Sequence, residues 1–245
     1  MIPKRHVKMI HDCALWSHKA YLNDISGTFI CEESTDAQAF VLQSGSDIIV
    51  TGQGSTSMRD WSLDFQIWRT RVDYLQNTKV HAGFMKQYNS IRDRVHNEIA
   101  KLMSSSAKEN MRIICTGHSL FGAIATVAAL DCSFKYDVPV HCITFGSPRV
   151  GSKKFAKLFN SNVEVSYRCV RFKDPVTFTP APIRFKHVRG GLHFGKCADP
   201  KSIGSDTLSL YNCCGCRVSH HSMEDYAAFT LQMVTENYSK QLTVP

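Results

Sequence analysis

Apolar positions in this chain recur with two periods, and the periods divide it into alternating strands and helices. Ala39-Phe40-Val41-Leu42-Gln43 and Asp47-Ile48-Ile49-Val50-Thr51 are short apolar runs separated by the turn Ser44-Gly45-Ser46, which predicts two strands. Residues 84–104 carry Phe84, Tyr88, Ile91, Val95, Ile99 and Leu102 at steps of three and four, the spacing of a helix face. Strands are expected at 111–116, 140–145 and 163–170, and helices at 13–22, 119–131, near 152–160 and over 222–238. Residues 175–219 are rich in Pro, Gly and Cys and predict irregular chain, with a Cys-rich part at 187–219. Continuous apolar strands alternating with helices imply a mostly parallel sheet with helices on both faces, an α/β fold.

Composition narrows this picture. A length of 245 residues fits one domain spanning 1–245, and 43% hydrophobic with 20% charged residues are globular proportions. The net charge of +8 is spread along the chain and accompanies no nucleic-acid motif, so no specific nucleic-acid partner is expected. The spread charge serves solubility or attraction to an anionic lipid surface. The N-terminal residues 1–8 are basic, but polar residues interrupt the stretch from Met9 to Cys13, so no leader sequence is expected. Cys115, Cys142 and Cys169 sit within apolar runs and suit a reducing compartment. An intracellular protein, of cellular or large-virus origin, would fit these features.

The candidate chemistry centres on Gly117-His118-Ser119-Leu120-Phe121-Gly122. Here an apolar strand meets an apolar helix across a short turn, the context of a nucleophile elbow. The usual pattern is G-x-S-x-G, and Phe121 holds the position of its second glycine. Two further groups stand in the order that α/β-hydrolases use, Ser then acid then His. Asp174 follows the strand at 163–170, where the carboxyl end of a strand places it at the active edge of such a sheet. His221 precedes Ser222-Met223-Glu224-Asp225, a capping box that would fix it at the start of the last helix. His220 is its neighbouring alternative, and Asp199, Asp206 and Asp225 are rivals to Asp174.

Several blocks occur in one order along the chain, and together they resemble the class 3, fungal-type lipases. They are Gly54-Ser55-Thr56-Ser57-Met58-Arg59-Asp60-Trp61, Val80-His81-Ala82-Gly83-Phe84, Gly117-His118-Ser119-Leu120, Phe145-Gly146-Ser147-Pro148-Arg149-Val150-Gly151, Asp174-Pro175-Val176-Thr177-Phe178-Thr179-Pro180, and His221 with Tyr226. The resemblance implies an α/β-hydrolase that cleaves glycerolipid esters, either acylglycerol or phospholipid, through an acyl-enzyme and without a cofactor. It implies Ser119, Asp174 and His221 as the triad and Ser55 with Leu120 as oxyanion donors. It also places a lid near residues 56–63. Met58, Trp61, Phe65 and Trp68 step by three, four and three, so a helix would align them as an apolar face over the acyl site or against the core. His81 and Arg149 read as structural, and His118 as a group behind the site. The implied partners are a lipid or ester substrate and a transiently contacted lipid surface.

The segment His193-x3-Cys197-x15-Cys213-x2-Cys216 has ligands at spacings that a structural zinc could use. Free thiols and disulfides are the alternatives. The competing reading of the whole chain is a lipase-like module that binds lipid or protein without turnover, motivated by Phe121.

Overall fold

The computed structural model describes residues 2–54, 68–105, 110–171, 174–194, 201–203 and 218–242. Its elements in chain order are α1 (Lys4–Tyr21), β1 (Thr28–Glu32), β2 (Ala37–Ser44), β3 (Asp47–Gly52), β4 (Arg69–Val72), β5 (Thr78–His81) and α2 (Ala82–Ser105). Then come β6 (Arg112–His118), α3 (Ser119–Lys135), β7 (Val140–Phe145), α4 (Lys153–Asn162), β8 (Val165–Arg171), β9 (Gly191–Phe194), β10 (Lys201–Ile203) and α5 (Met223–Leu242). One sheet has the order β1-β2-β3-β6-β7-β8-β9-β10, and β4 with β5 forms a separate ribbon. The strands from β3 through β9 pair in parallel, while β1, β2 and β10 add antiparallel edges. This is the mostly parallel α/β sheet that the alternating pattern predicts.

The central strands are apolar at consecutive positions because both faces are covered. Ile48, Val50, Ile113, Cys115 and Cys142 face the core that includes residues of α2 and α3. Ile49, Ile114, Ile143 and Cys169 face the opposite core, with residues of α1 and α5. Each such buried side chain contributes roughly 1.5–3 kcal/mol, so a charge at either Ile113 or Ile114 would break one face. The most enclosed element is α3, buried at every residue from Ser119 to Cys132. Its small side chains permit that approach. A Cβ added at Gly122 would lie 2.9 Å from Ser147 Cβ and 3.1 Å from Gly117 O.

Four differences from the sequence expectation have physical causes. The first helix starts at Lys4 rather than near residue 13, because Val7, Ile10, Cys13, Ala14 and Ser17 form its buried face and the polar interruptions are its solvent side. The strand β1 is an edge with one buried residue, Ile30, and so carries no alternation to read. The strands β4 and β5 have four residues each, too short for a period. The segment expected to be irregular contains β9, which extends the parallel sheet beyond β8.

Candidate active site

The turn between β6 and α3 bends as an elbow should. His118 is extended, with φ −109° and ψ 148°, and Ser119 enters the left-handed region at φ +57°. A side chain held there costs on the order of 1–3 kcal/mol, and the packed strand and helix on either side must sustain it. Leu120 lies in the first turn of α3, where a backbone N–H has no partner within the helix. The Phe121 side chain belongs to the core shared with α2 and is 1% exposed. Two glycines make its room. A Cβ at Gly52 would come within 2.3 Å of the ring, and one at Gly117 within 2.7 Å. The residue that breaks the G-x-S-x-G pattern is thus matched by the absence of side chains on β3 and β6.

Asp174 follows β8 and is fully buried. Its carboxylate caps the short 3-10 turn at Pro175–Phe178 by accepting the Val176 N–H at 3.0 Å. His221 ends the 3-10 turn Val218–His221, and its Nδ1 lies 2.9 and 2.8 Å from the two carboxylate oxygens of Asp174. The structure joins His221 rather than His220 to the acid. Ser222 then caps α5, accepting the Asp225 N–H at 3.5 Å, while Asp225 pairs with Arg171 and so is not available as the acid. Gly146, at φ +57°, lets the backbone pass this pair closely. A Cβ there would be 2.8 Å from both Asp174 Oδ2 and His221 Cε1.

The other nitrogen of His221 is buried and has no hydrogen-bond partner among the described residues. The imidazole lies against the elbow. The rings of His118 and His221 are 4.3 Å apart between centroids, tilted by 35°. Burial, and then the charge of His221, hold the His118 imidazole well below its usual range. His118 is therefore neutral and does not repel an imidazolium forming on His221. The Tyr21 hydroxyl sits 2.9 Å from His118 Nδ1, and burial pushes that phenol up to about 12. A Cβ at Gly54 would be 2.4 Å from the same hydroxyl and 3.1 Å from Ser119 Cβ, so the backbone at Gly54 runs along the elbow.

One group escaped the sequence reading in its role. The Tyr226 hydroxyl donates to Asp174 Oδ2 at 2.6 Å and accepts the Arg171 N–H at 2.9 Å. Burial and the adjacent carboxylate raise the phenol well above its ordinary value and keep it a donor. The five-residue step from His221 to Tyr226 was visible, but not that the first helical turn between them wraps around the acid. Arg149 and His81 have structural contacts. Arg149 donates from Nη1 to the carbonyls of Phe178 and Pro180, in the loop after the acid, and His81 stacks on Phe84.

Ser55, Met58, Trp61 and Phe65 lie outside the described residues, as do Cys197, Cys213, Cys216, Asp199 and Asp206. Of the candidate metal ligands only His193 is described, on β9. Among the described residues no group of three His, Cys, Asp or Glu could hold a metal ion.

Comparison with known proteins bears on this geometry. The family model described as Lipase (class 3) matches residues 49–183. A secreted mono- and diacylglycerol lipase 1 of Fusarium solani is 33% identical over 139 residues, 57% of this chain and 40% of that protein. A chloroplastic phospholipase A(1), DAD1, of Arabidopsis thaliana is 32% identical over 156 residues, 56% of this chain and 34% of that protein. The chain thus spans well under half the length of these relatives. Among solved structures, a lipase from Rhizopus microsporus var. chinensis superimposes with a TM-score of 0.74 at 23% identity, over 90% of this chain and 87% of that one. A triacylglycerol lipase whose catalytic centre is described as a serine protease triad gives 0.77 at 21% identity, over 90% and 94% of the two chains. These likenesses establish the α/β-hydrolase fold.

Proposed function

The chain belongs to the class 3 lipase family, and on that premise we propose that it hydrolyses carboxylic esters of glycerolipids through a serine-bound acyl-enzyme. The observation that carries the proposal is the Asp174–His221 pair, with Nδ1 engaged at 2.8 Å and the other nitrogen left open beside the Ser119 elbow. In this reading Ser119 Oγ attacks the ester carbonyl as His221 Nε2 takes its proton. Asp174 holds the Nδ1–H tautomer and stabilises the imidazolium. The Leu120 N–H and, by family resemblance, Ser55 hold the oxyanion, each such donor being worth about 3 kcal/mol in the transition state. His221 then returns the proton to the departing alkoxide, and water releases the acid by the reverse sequence.

The substrate class follows from the relatives' activities, one on mono- and diacylglycerols and one on phospholipids. Both are esters of a packed lipid phase, so the working enzyme meets a lipid surface, and the apolar side chains Met58, Trp61 and Phe65 are proposed as the cover of its acyl site. The buried place of Phe121 removes the motive for a non-catalytic reading. A fluorophosphonate probe tests the proposal directly. Labelling of the wild type, abolished in Ser119→Ala, is expected. A folded wild type that takes no label and releases no acid from a short-chain p-nitrophenyl ester would overturn it.

A further inference from the structure

The ribbon of β4 and β5 carries a local conflict. Its register sets Arg71 directly opposite Lys79. Like charges at opposed positions of an antiparallel pair destabilise it. Both side chains are exposed, so neither cation is compensated by burial against an acid. Arg71 and Arg184 enter no ion pair among the described residues, and segments 68–72, 78–81 and 180–190 contain no Asp or Glu. The nearest acid along the ribbon is Asp73, in its connecting turn.

Beside these cations stand two of the most exposed large apolar side chains described, Trp68 at 65% and Ile183 at 91%. The segments that carry them meet through the residues that come after them. Arg69 Nη1 donates to the Arg184 carbonyl at 3.0 Å, and the Arg69 guanidinium lies 5.9 Å from the Phe185 ring. The patch also adjoins the catalytic edge. The His81 N–H bonds the Val150 carbonyl at 3.0 Å, and Gly151 bridges Val80 on one side and Lys186 on the other. Arg149, one residue before Val150, holds the loop that follows Asp174.

We infer that Trp68, Ile183, Arg71, Lys79 and Arg184 form a docking face for an anionic phospholipid surface, set beside the catalytic edge. The inference rests on the proposed lipid hydrolysis for its purpose, though its binding test needs no turnover. Charge complementarity identifies the occupant. A tryptophan and an isoleucine enter the boundary between headgroups and acyl chains, while arginine and lysine meet lipid phosphates and acidic headgroups. An external anionic layer is also what relieves the Arg71–Lys79 repulsion.

The experiment is sedimentation of the Ser119→Ala protein with vesicles of phosphatidylcholine alone and of phosphatidylcholine mixed with phosphatidylglycerol. Partitioning should favour the mixed vesicles and fall as salt rises. Each basic side chain at such a surface contributes about fivefold to partitioning, so Arg71→Gln, Lys79→Gln and Arg184→Gln combined should weaken it about a hundredfold. Trp68→Ala should weaken binding to the same vesicles at high salt, where the charges are screened. In the wild-type background the triple substitution should leave hydrolysis of a soluble p-nitrophenyl ester unchanged and should not lower the melting temperature, since it removes the Arg71–Lys79 repulsion. Equal binding to both vesicle types, or a triple variant that binds like its parent, would overturn the inference. So would polyglutamate binding that matches vesicle binding and ignores Trp68. Failure of the ester assay alongside patch-dependent vesicle binding would instead sink the hydrolase reading and leave the docking face standing.

Discussion

Two buried carboxylates in this molecule are each surrounded by a histidine and a tyrosine, and only one of them sits in an arrangement that can support catalysis. Asp131, on α3, accepts from Tyr88 at 2.7 Å, from His96 Nε2 at 2.8 Å and from Arg92 at 2.6 and 3.0 Å. The other nitrogen of His96 is taken by the Tyr136 hydroxyl at 3.0 Å. Asp174 accepts from Tyr226, from His221 and from the Val176 N–H, with no arginine among these partners. At Asp131 a permanent cation balances the charge and every ring nitrogen is used, so the cluster fastens α2 to α3 and can do nothing else. Among the described residues that bond Asp174, the one that could carry a balancing cation is His221, and the second nitrogen of that ring is open. The proposed reactivity rests on what a polar cluster leaves unfinished.

The largest expected effect separates the two acids by the kind of damage. Asp174→Asn should lower kcat about 10⁴-fold while the protein still folds, because the amide orients His221 in the wrong tautomer. Asp131→Ala should cost about 3–5 kcal/mol of stability by stranding the half-buried Arg92, with kcat of the folded fraction little changed. Denaturant unfolding combined with active-site titration reads both. A kcat loss at Asp131 as large as at Asp174 would erase the distinction.

The clusters should also differ in acid. Burial works against the Asp131 carboxylate, but its bonds to His96, Arg92 and Tyr88 outweigh it and bring the group down to about 2. Its contribution is present above the ordinary carboxylate range and is lost only as pH falls toward about 2. The proposed catalytic end is more sensitive. His118 is held well below its usual value by burial and the nearby His221, and His187 by burial and then Arg168 and Arg149. For both, the unfolded chain binds more protons than the folded one below pH about 6.5. Stability should therefore decline as pH drops below about 6.5. Thermal unfolding across this window checks it, and a flat profile would show that these rings are not held neutral.

How much of this was readable in the sequence divides along the same line. The central strands were legible because burial on both faces writes continuous apolar runs, as at residues 113–115. The elbow, the acid and the histidine were legible because each ends or begins such an element. The Asp131 cluster was not, since Tyr88 counts toward the apolar face of its helix, Arg92 and His96 show no period of their own, and nothing in the sequence says that α3 lies against them. The accommodation of Phe121 was equally hidden. It depends on Gly52, some seventy residues earlier (121 − 52 = 69), which reads alone as the end of a strand. Pattern reveals which residues an element buries. It does not reveal which two elements share a gap.

The finest comparison uses one substitution in both places. The Tyr226 and Tyr88 hydroxyls each donate to one oxygen of a buried carboxylate, at 2.6 and 2.7 Å. Removing either by Tyr→Phe deletes a hydrogen bond to a charged acceptor, worth about 1.5–3 kcal/mol. At Tyr88 the loss should appear only in unfolding, because Arg92 and His96 still hold Asp131 in place. At Tyr226 the carboxylate keeps only the Val176 N–H and the histidine it is meant to orient. Asp174 can then turn about its own side-chain torsion, and His221 turns with it. Tyr226→Phe should therefore lower kcat about tenfold, some 1.4 kcal/mol in the barrier, with KM unchanged because the hydroxyl faces the acid and not the substrate. It should also cost stability, since the Arg171 N–H loses its acceptor. If Tyr226→Phe and Tyr88→Phe lower kcat by the same factor, or neither does, then Tyr226 fastens α5 as Tyr88 fastens α2, and the orientation of His221 is set by the Asp174 backbone alone.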